Sequence, residues 1–478
     1  MIFASNLFLL YFLPVFLAVY LVTPQKFRNI VALLGSLVFY AWGAPKFVFV
    51  LLGLAFADYW VALQIGKRDQ HAGKWLAFAV VYNLGMLLYF KYANFFVDNA
   101  NAFLTGIGVE AMAWTKVALP LGISFFTFQQ LSYLIDVRRG EKPPLKNPFD
   151  YMLLVMMFPH LIAGPILRYR DMADQLRDRS THENISHRLE GLIRFAIGLG
   201  RKVLIADTLS GQVNKIFALP HAQLDFLLCW IGAVGFAFVV YHDFAGYSDM
   251  AIGLARMMGF RFPENFKTPY RSASITELWQ RWHITLGDWM RNYLYIPLGG
   301  NRSGKPWRVY LNLWIVFLAV GFWHGAGWTF ILFGVWHGTW IALERLFLLR
   351  FLTKLPRIFA IAWTFFLFVL GSVFFKASNV GTAWAFFKEM FKFQVAKTPW
   401  EDLNLYLGNK FWFMMGLAAC ISFIAAIPAI EKWQDKGFEL PQKGWQTVAW
   451  SAIALVLLTL CISEIATMGF RPFIYYMF

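Results

Sequence analysis

Two Trp-His-Gly triplets lie close together in an apolar stretch of the sequence. They place His324 and His337 thirteen residues apart within GFWHGAGWTFILFGVWHG, residues 321–338. An ionisable side chain in hydrocarbon costs several kcal/mol if unpaired, which makes such a residue a functional candidate. Burial favours the neutral imidazole, the form that accepts a proton as a general base. In a cavity that excludes water, such a base suits acyl transfer to a hydroxyl, because the donor is protected from hydrolysis.

The two histidines differ in their surroundings. The apolar run before His324, Leu311–Trp323, has thirteen residues, and as a helix it would cover only about 20 Å of a hydrocarbon layer about 30 Å thick. The glycines of HGAG then interrupt the run, so we predict that His324 lies at the bottom of a cavity within the membrane. His337 lies inside the next helical run, where a helix-packing hydrogen bond and a direct role both fit the pattern.

The composition places these residues in a membrane protein. Hydrophobic residues make up 59% of the 478 residues, charged residues only 15%, and the mean hydropathy is +0.52, whereas soluble domains have about 25% charged residues. The net charge of +16 comes from loops between apolar runs, as the positive-inside rule predicts. We therefore predict a lipid bilayer, and no nucleic acid, as the partner. The three cysteines lack metal-site spacing, and we predict no metal and no tightly bound cofactor.

Apolar runs long enough to be candidate spans recur along the chain. We predict about a dozen transmembrane or re-entrant helices in one membrane domain, residues 1–478, with basic loops on the cytoplasmic side and the N-terminus outside. The candidates are Asn6–Val22, Ile30–Trp42, Phe47–Ile65, Trp75–Phe95, Val117–Ile135, Tyr151–Leu167, Leu189–Leu204, Phe226–Tyr241, Leu311–Trp323, Trp328–Leu343, Ile358–Phe375, Phe411–Ile430 and Val448–Thr467.

Residues 256–308 contain no adequate span but are strongly basic. Within them, Ser274 or Thr276 could cap a helix that ends at Gly299-Gly300, and we predict one interfacial amphipathic helix on the cytoplasmic side. Its apolar residues at helical spacing are Leu278, Trp282, Leu286 and Met290. His283 follows Trp282 on this helix, where by itself it would be an ordinary surface histidine.

The basic surface of this segment has two interpretations. It could attract anionic lipid headgroups, or it could bind an anionic cofactor or an acidic carrier protein. The candidate binding residues in the second case are Arg281, Arg291 and Arg302.

Several motifs together resemble the bacterial membrane-bound O-acyltransferases of the alginate O-acetylation type. They are LPLGISFFTFQQLSYLIDVRRG, FPHLIAGPILRY, the segment from FAGYSDM to YIPLGGNR, and GFWHGAGWTFILFGVWHG, with FASNLFLLYFLP at the start and RPFIYYMF at the end. The family core corresponds to residues 120–345, and the resemblance extends over the whole chain. Any one motif is moderately specific, whereas the set is highly specific.

The resemblance implies an all-α ring of helices around a thin centre, with funnels from both faces that meet at a histidine. The invariant histidine of the family corresponds to His324, and the second polar position corresponds to His283. His337, Trp323 and Trp282 would support them. The implied enzyme lies in the bacterial inner membrane and takes acetyl from a cytoplasmic donor, which we expect to be acetyl-CoA or a small acyl carrier. Its implied partners are extracytoplasmic, esterase-like acetyltransferases.

Two alternatives remain open at the level of sequence. The same type of protein could transfer D-alanine to teichoic acid from a carrier protein. A non-catalytic transporter would also have many spans, but a sugar path would require several aromatic and carboxylate residues along a pore, which the apolar surroundings of His324 do not provide.

Overall fold

A computed structural model describes residues 1–302, 304–393, 406–427, 430, 444–468 and 473. All regular secondary structure in these ranges is helical, which confirms the all-α prediction. The chain forms two compact units, residues 1–184 with 258–262 and residues 185–257 with 263–478. The proposal of a single membrane domain over residues 1–478 stays a prediction. The final motif RPFIYYMF, apart from Phe473, and residues 428–429 of one predicted span lie outside the described ranges.

The first unit is built on a buried central helix, α5, whose side chains from Ile123 to Val137 are almost all buried. Asp58 on α3 accepts hydrogen bonds from Tyr82 and Asn83 on α4, so the carboxylate has partners inside an apolar helix pair. The α-helices in the described part of this unit are α1 (Leu13–Val22, after a π-helical turn, Leu7–Phe12), α2 (Arg28–Gly43), α3 (Phe47–Gly66), α4 (Ala72–Gly106), α5 (Ile123–Arg139), α6 (Pro148–Met156), α7 (Phe158–Leu161) and α8 (Tyr169–Arg177).

The second unit contains both Trp-His-Gly triplets. Its α-helices in the described ranges are α9 (Ile185–Gly200), α10 (Asp207–Phe217), α11 (Phe226–Met257), α12 (Ile275–Arg281), α13 (Ile284–Met290), α14 (Pro306–His324), α15 (Trp328–Leu343), α16 (Leu349–Leu352), α17 (Arg357–Lys376), α18 (Val380–Met390), α19 (Asn409–Phe423) and α20 (Gly444–Met468).

Seven helices in the described residues are long and apolar enough to cross a membrane, namely α3, α4, α11, α14, α17, α19 with the turn that follows it, and α20. The multi-pass membrane protein that the sequence predicts is therefore supported, although with fewer full-length spans. Leu7–Val22 is apolar but shorter. The predicted span Tyr151–Leu167 is broken, because the helix ends before Met157 and only a four-residue helix follows.

The length of α14 differs from the prediction. The helix begins at Pro306, ahead of the apolar run, and has 19 residues, or about 28 Å. The argument that this segment is too short to cross was therefore wrong, because its first turns contain polar residues that a hydropathy pattern excludes. The predicted break after His324 is confirmed, since α14 ends there and α15 starts at Trp328.

Helices α9 and α11 approach each other through glycines. A Cβ atom on Gly198 would lie 2.6 Å from the carbonyl oxygen of Gly246, and a Cβ atom on Gly191 would lie 2.6 Å from that of Gly253. Small residues allow this close contact, which is how helices associate in an apolar medium.

Charged residues along the same helix pair have partners. Arg194 lies 3.0 Å from Asp249, and Lys202, in the π-helical turn after α9, lies 2.7 Å from both Asp243 and Asp207. Because isolated charges in a low-dielectric medium are costly, such pairing is what permits them there. The Arg194–Asp249 pair fixes the register of α9 against α11, and Lys202 joins the turn after α9 to α11 and α10.

Close contact through glycines also forms the α14–α15 hairpin. A Cβ atom on Gly321 would overlap the carbonyl oxygen of Phe330, and one on Gly334 would overlap that of Phe317. The two helices are therefore in backbone contact just below the break that holds His324.

Replacement of Gly334 by alanine tests this contact. We expect Gly334→Ala to destabilise the protein by about 1–3 kcal/mol, because the added methyl group forces the two backbones apart. The measurement is thermal unfolding in detergent, where the variant should unfold at a lower temperature.

Gly53→Ala is the matched control, because no atom lies within 4 Å of a Cβ atom placed on this span glycine. It should leave stability unchanged or raise it by up to about 1 kcal/mol through helix propensity. Equal behaviour of the two variants would contradict the proposed contact.

Candidate active site

His324 is the last residue of α14 and is buried among aromatic rings. Its ring centroid lies 5.1 Å from Trp323, 5.2 Å from Phe375 and 5.6 Å from Phe333, with the rings near-perpendicular in each pair. Only 2% of the residue is exposed. The imidazole thus lies among aromatic rings at the helix break. That it lies at the bottom of a cavity stays a prediction.

The glycines of the two triplets have different roles. Gly325 has extended backbone after the end of α14, and any Cβ atom there would overlap the ring of Phe330. Gly338 lies within α15 and would bring a Cβ atom to 3.2 Å from the Cβ of Phe317. The first glycine therefore shapes the break beside His324, whereas the second one only allows helix packing.

His283 is in a different environment from the predicted one. The single helix predicted from Ser274 to Gly300 is wrong at this point, because α12 ends at Arg281 and α13 begins at Ile284. Between them His283 takes a left-handed conformation, with φ 46° and ψ 51°, which is costly for a residue with a side chain. This break turns the imidazole into the protein, where it is fully buried instead of lying at the surface.

The N-terminus of α12 is capped as predicted. The side chain of Ser274 accepts a hydrogen bond from the amide of Glu277 at 3.0 Å. Glu277 in turn accepts from the amide of Ala273 at 2.8 Å, a variant of the capping box. This start was visible in the sequence because Ser-x-x-Glu precedes an apolar run.

Glu344 provides a second, unpredicted support for α12. Its carboxylate accepts hydrogen bonds from the amides of Ile275 and Thr276 at 2.6 and 2.8 Å, and from the Thr276 hydroxyl at 2.7 Å. A carboxylate at a helix N-terminus satisfies amides that have no partner within the helix. Nothing local in the sequence relates Glu344 to a helix that begins 69 residues earlier.

Trp323 joins His283 to His324. The Trp323 ring lies 5.4 Å from the His283 ring and 5.1 Å from the His324 ring. Phe244 of α11 packs against His283 from another side, at 4.6 Å. Two histidines that are 41 residues apart in sequence thus contact the same indole.

His337 belongs to the same aromatic cluster. Phe333 lies 4.6 Å from its ring and also contacts His324, and Trp279 of α12 lies 5.2 Å away. Neither nitrogen of His337 forms a hydrogen bond to any described residue. The packing hydrogen bond that we considered for His337 is therefore not formed within these ranges.

The remaining predicted site residues lie in two kinds of surroundings. Trp282 is buried and packs against Phe266 at 5.1 Å. Arg281 forms an ion pair with Glu277 at 2.9 Å, whereas Arg291 and Arg302 are exposed. The role of all four stays a prediction.

No group of three or more histidine, cysteine, aspartate or glutamate side chains that could hold a metal ion occurs in the described ranges. The groups in the cluster that can take part in proton transfer are imidazoles. Burial lowers the pKa of His283 to about 3, so this imidazole is neutral at physiological pH. A neutral imidazole can accept a proton or a hydrogen bond.

Comparison with known proteins gives the same family as the sequence motifs. Residues 48–384 match the model of the membrane-bound O-acyltransferase family. The chain is 41% identical to a probable alginate O-acetylase of Pseudomonas putida, with 100% of both chains covered. It is 46% identical to that of Pseudomonas aeruginosa, over 91% of this chain and 83% of the relative. A peptidoglycan O-acetyltransferase of Helicobacter pylori is 37% identical, over 82% and 80% of the two chains.

The contribution of Glu344 to the site can be measured by substitution. We expect Glu344→Leu to lower the free energy of unfolding by on the order of 3 kcal/mol, because it leaves buried amides of α12 without an acceptor. Glu344→Gln keeps one acceptor oxygen and should have a smaller effect. Chemical or thermal unfolding in detergent measures both. If the leucine variant were as stable as the glutamine variant, the capping role would be refuted.

Proposed function

The chain belongs to the membrane-bound O-acyltransferase family, and from this premise we propose that it acetylates hydroxyl groups for an exopolysaccharide such as alginate. The observation that carries the proposal is the burial of His324 among three aromatic rings at the break between α14 and α15. The names of the relatives support an acetyl group as the cargo and a polysaccharide as its destination.

We propose acetyl-CoA as the cytoplasmic donor. In the reaction the thioester C–S bond breaks and an ester C–O bond forms with the acceptor oxygen. The proton of the acceptor hydroxyl moves to His324 and from there to the departing thiolate, so charge and atoms balance. The acceptor lies on the extracytoplasmic side, and the acetyl group crosses the membrane through this step.

His324 is the proposed general base. Its aromatic surroundings favour the neutral imidazole, which is the form that accepts a proton. They also exclude water, which protects a thioester from hydrolysis. A second course keeps the same residue but makes its imidazole an acyl carrier, which is acetylated first and then transfers the acetyl group to the hydroxyl. The two courses differ in whether acetyl becomes bound to the protein in the absence of an acceptor.

His283 is proposed to orient the acceptor or to polarise the donor from the other side of Trp323. Its left-handed backbone supports a functional role, because strained conformations persist where the surrounding structure enforces them. His337, Trp323 and Trp282 are proposed as supporting residues that maintain the aromatic cluster. Arg281, Arg291 and Arg302 are proposed as contacts for an anionic donor or an acidic carrier, with the exposed Arg291 and Arg302 the more accessible.

The proposed setting is the bacterial inner membrane. We propose that the helices form a ring around a thin centre, with cytoplasmic and extracytoplasmic funnels that meet at His324. The proposed partners are esterase-like acetyltransferases outside the membrane, which complete the transfer to the polysaccharide, and a small acyl carrier on the cytoplasmic side. The family core at residues 120–345 contains the residues on which this arrangement depends.

Replacement of His324 by glutamine tests the proposed base. We expect His324→Gln to lower acetyl transfer by at least about 100-fold, since glutamine cannot accept the proton. With protein in lipid nanodiscs, the measurements are the release of free CoA thiol and the transfer of label from radiolabelled acetyl-CoA. In cells, polysaccharide acetylation is compared at equal protein abundance.

His242→Gln is the matched control. His242 is also fully buried in a span, where Nε2 lies 3.2 Å from the Ser422 hydroxyl of α19, outside the described cluster. This variant should retain most of the activity.

Undiminished transfer in the His324 variant would refute the role of that residue. No transfer by the native protein from acetyl-CoA, but transfer from an aminoacyl carrier protein, would favour D-alanylation, and no transfer from either would favour a transporter.

A single-turnover experiment distinguishes the general-base mechanism from the acyl-carrier mechanism. If His324 is the base, native protein incubated with radiolabelled acetyl-CoA alone should retain no label after rapid denaturation at neutral pH. A label that is retained by the native protein and lost in His324→Gln would establish the carrier course instead.

A further inference from the structure

Asn265 has a side-chain orientation that its neighbours define. Its Oδ1 accepts a hydrogen bond from the hydroxyl of Thr285 at 2.9 Å and from the amide of Thr285 at 3.4 Å, and its Nδ2 donates to the hydroxyl of Ser248 at 3.0 Å. A backbone amide can only donate, so the atom that faces Thr285 is the carbonyl oxygen. The two ends of the amide group are therefore assigned by chemistry.

This orientation determines the tautomer of His283. The Nδ1 atom of His283 lies 3.1 Å from Asn265 Oδ1. Because that oxygen is an acceptor, Nδ1 must carry the proton. The ring is neutral, since burial lowers its pKa, and a neutral imidazole has one proton. The lone pair is consequently on Nε2, which is buried and forms no hydrogen bond to any residue that the structure describes.

Among the residues that the structure describes, the aromatic rings packed on His283 carry no titratable group that disturbs this assignment. The rings packed on it are Phe244 from α11, Phe266 from the segment before α12 and Trp323 from α14. His324 lies beyond Trp323. An acceptor nitrogen in such apolar surroundings favours a hydroxyl or thiol donor as its partner, because an unsatisfied buried acceptor is costly.

We propose that Asn265 is a positioning residue that holds His283 in its Nδ1–H tautomer and thereby presents Nε2 as a hydrogen-bond acceptor to the substrate. The proposal rests on the proposed function, in which His283 orients the acceptor. It identifies Nε2 of His283 as the atom that contacts the acceptor, and Asn265 as the residue that leaves this nitrogen unprotonated. Through Asn265, Ser248 on α11 is connected to the same arrangement.

The backbone of Asn265 has a separate role, which makes the side chain testable. Its carbonyl oxygen accepts a hydrogen bond from the amide of Ile284 at 2.9 Å, directly after the left-handed residue His283. Replacement of the side chain leaves this bond, so the break between α12 and α13 retains one of its supports. Asn265→Leu is close in volume and removes both the acceptor that faces His283 and the donor to Ser248.

The tautomer can be observed directly in protein labelled with 15N-histidine. The ring signals of His283 are those missing from the spectrum of His283→Ala. We expect a protonated Nδ1 and an unprotonated Nε2 in the native protein, and a mixture or the reverse in Asn265→Leu. A protonated Nε2 in the native protein, or an unchanged tautomer in Asn265→Leu, would overturn the proposal without any measurement of activity.

Activity gives the second test. We expect Asn265→Leu to reduce acetyl transfer from radiolabelled acetyl-CoA by between about tenfold and 100-fold, as for other residues that orient a functional histidine. Asn265→Asp restores an acceptor and should recover most of the rate. Its carboxylate stabilises the imidazolium and raises the pKa of His283. As the pH falls, the rate of this variant should therefore decline at a higher pH than the native rate does.

Thr285→Val is the matched control for a merely structural role. It removes a hydrogen bond to the same oxygen of Asn265 but leaves the bond to His283. Its pH profile should match the native one, whatever its effect on abundance. An equal loss of rate in Thr285→Val and Asn265→Leu, with no recovery in Asn265→Asp, would show that only packing matters. If the native protein itself transfers no acetyl, the proposed function fails, whereas the NMR result still decides the tautomer.

Discussion

A polar group buried in hydrocarbon must find its partner within the protein, and the arrangement of helices depends on this constraint. The paired charges between α9 and α11 fix one register, the bonds from Tyr82 and Asn83 to Asp58 fix another, and Glu344 holds the start of α12. In each case the desolvation cost is offset only if the partner is in place. Helix position therefore follows from polar pairing as much as from apolar packing.

The cluster around His324 is packed differently. Here the imidazoles of His324, His283 and His337 are surrounded mainly by aromatic rings, and Trp323 and Phe333 separate one from the next. Buried acceptors such as Nε2 of His283 are retained at a cost, which is reasonable where a substrate supplies the missing partner. The glycine contact between α14 and α15 keeps the cluster in place without adding polar groups of its own.

Part of this arrangement could be predicted from the sequence, for reasons that are local. Hydropathy identified the membrane class, Ser274 was one of two candidate caps for the start of α12, and the glycines after His324 marked the end of α14. Periodicity failed where the helix breaks at His283, because Leu278, Trp282, Leu286 and Met290 keep helical spacing across a residue that is left-handed. It also placed the start of α14 too late, since hydropathy excludes polar first turns.

The sequence by itself determined that this chain is an all-helical membrane protein with an ionisable residue at a helix break. Both features can be read without the tertiary structure, because hydropathy and glycine placement are local properties of the chain. Only the tertiary structure decided which partners these residues have. Asn265, Glu344 and Phe375 reach the site from segments that are distant in the chain, and their contacts depend on how helices pack. The tautomer of His283 is a consequence of that packing, since it is set by the orientation of one amide group 18 residues away.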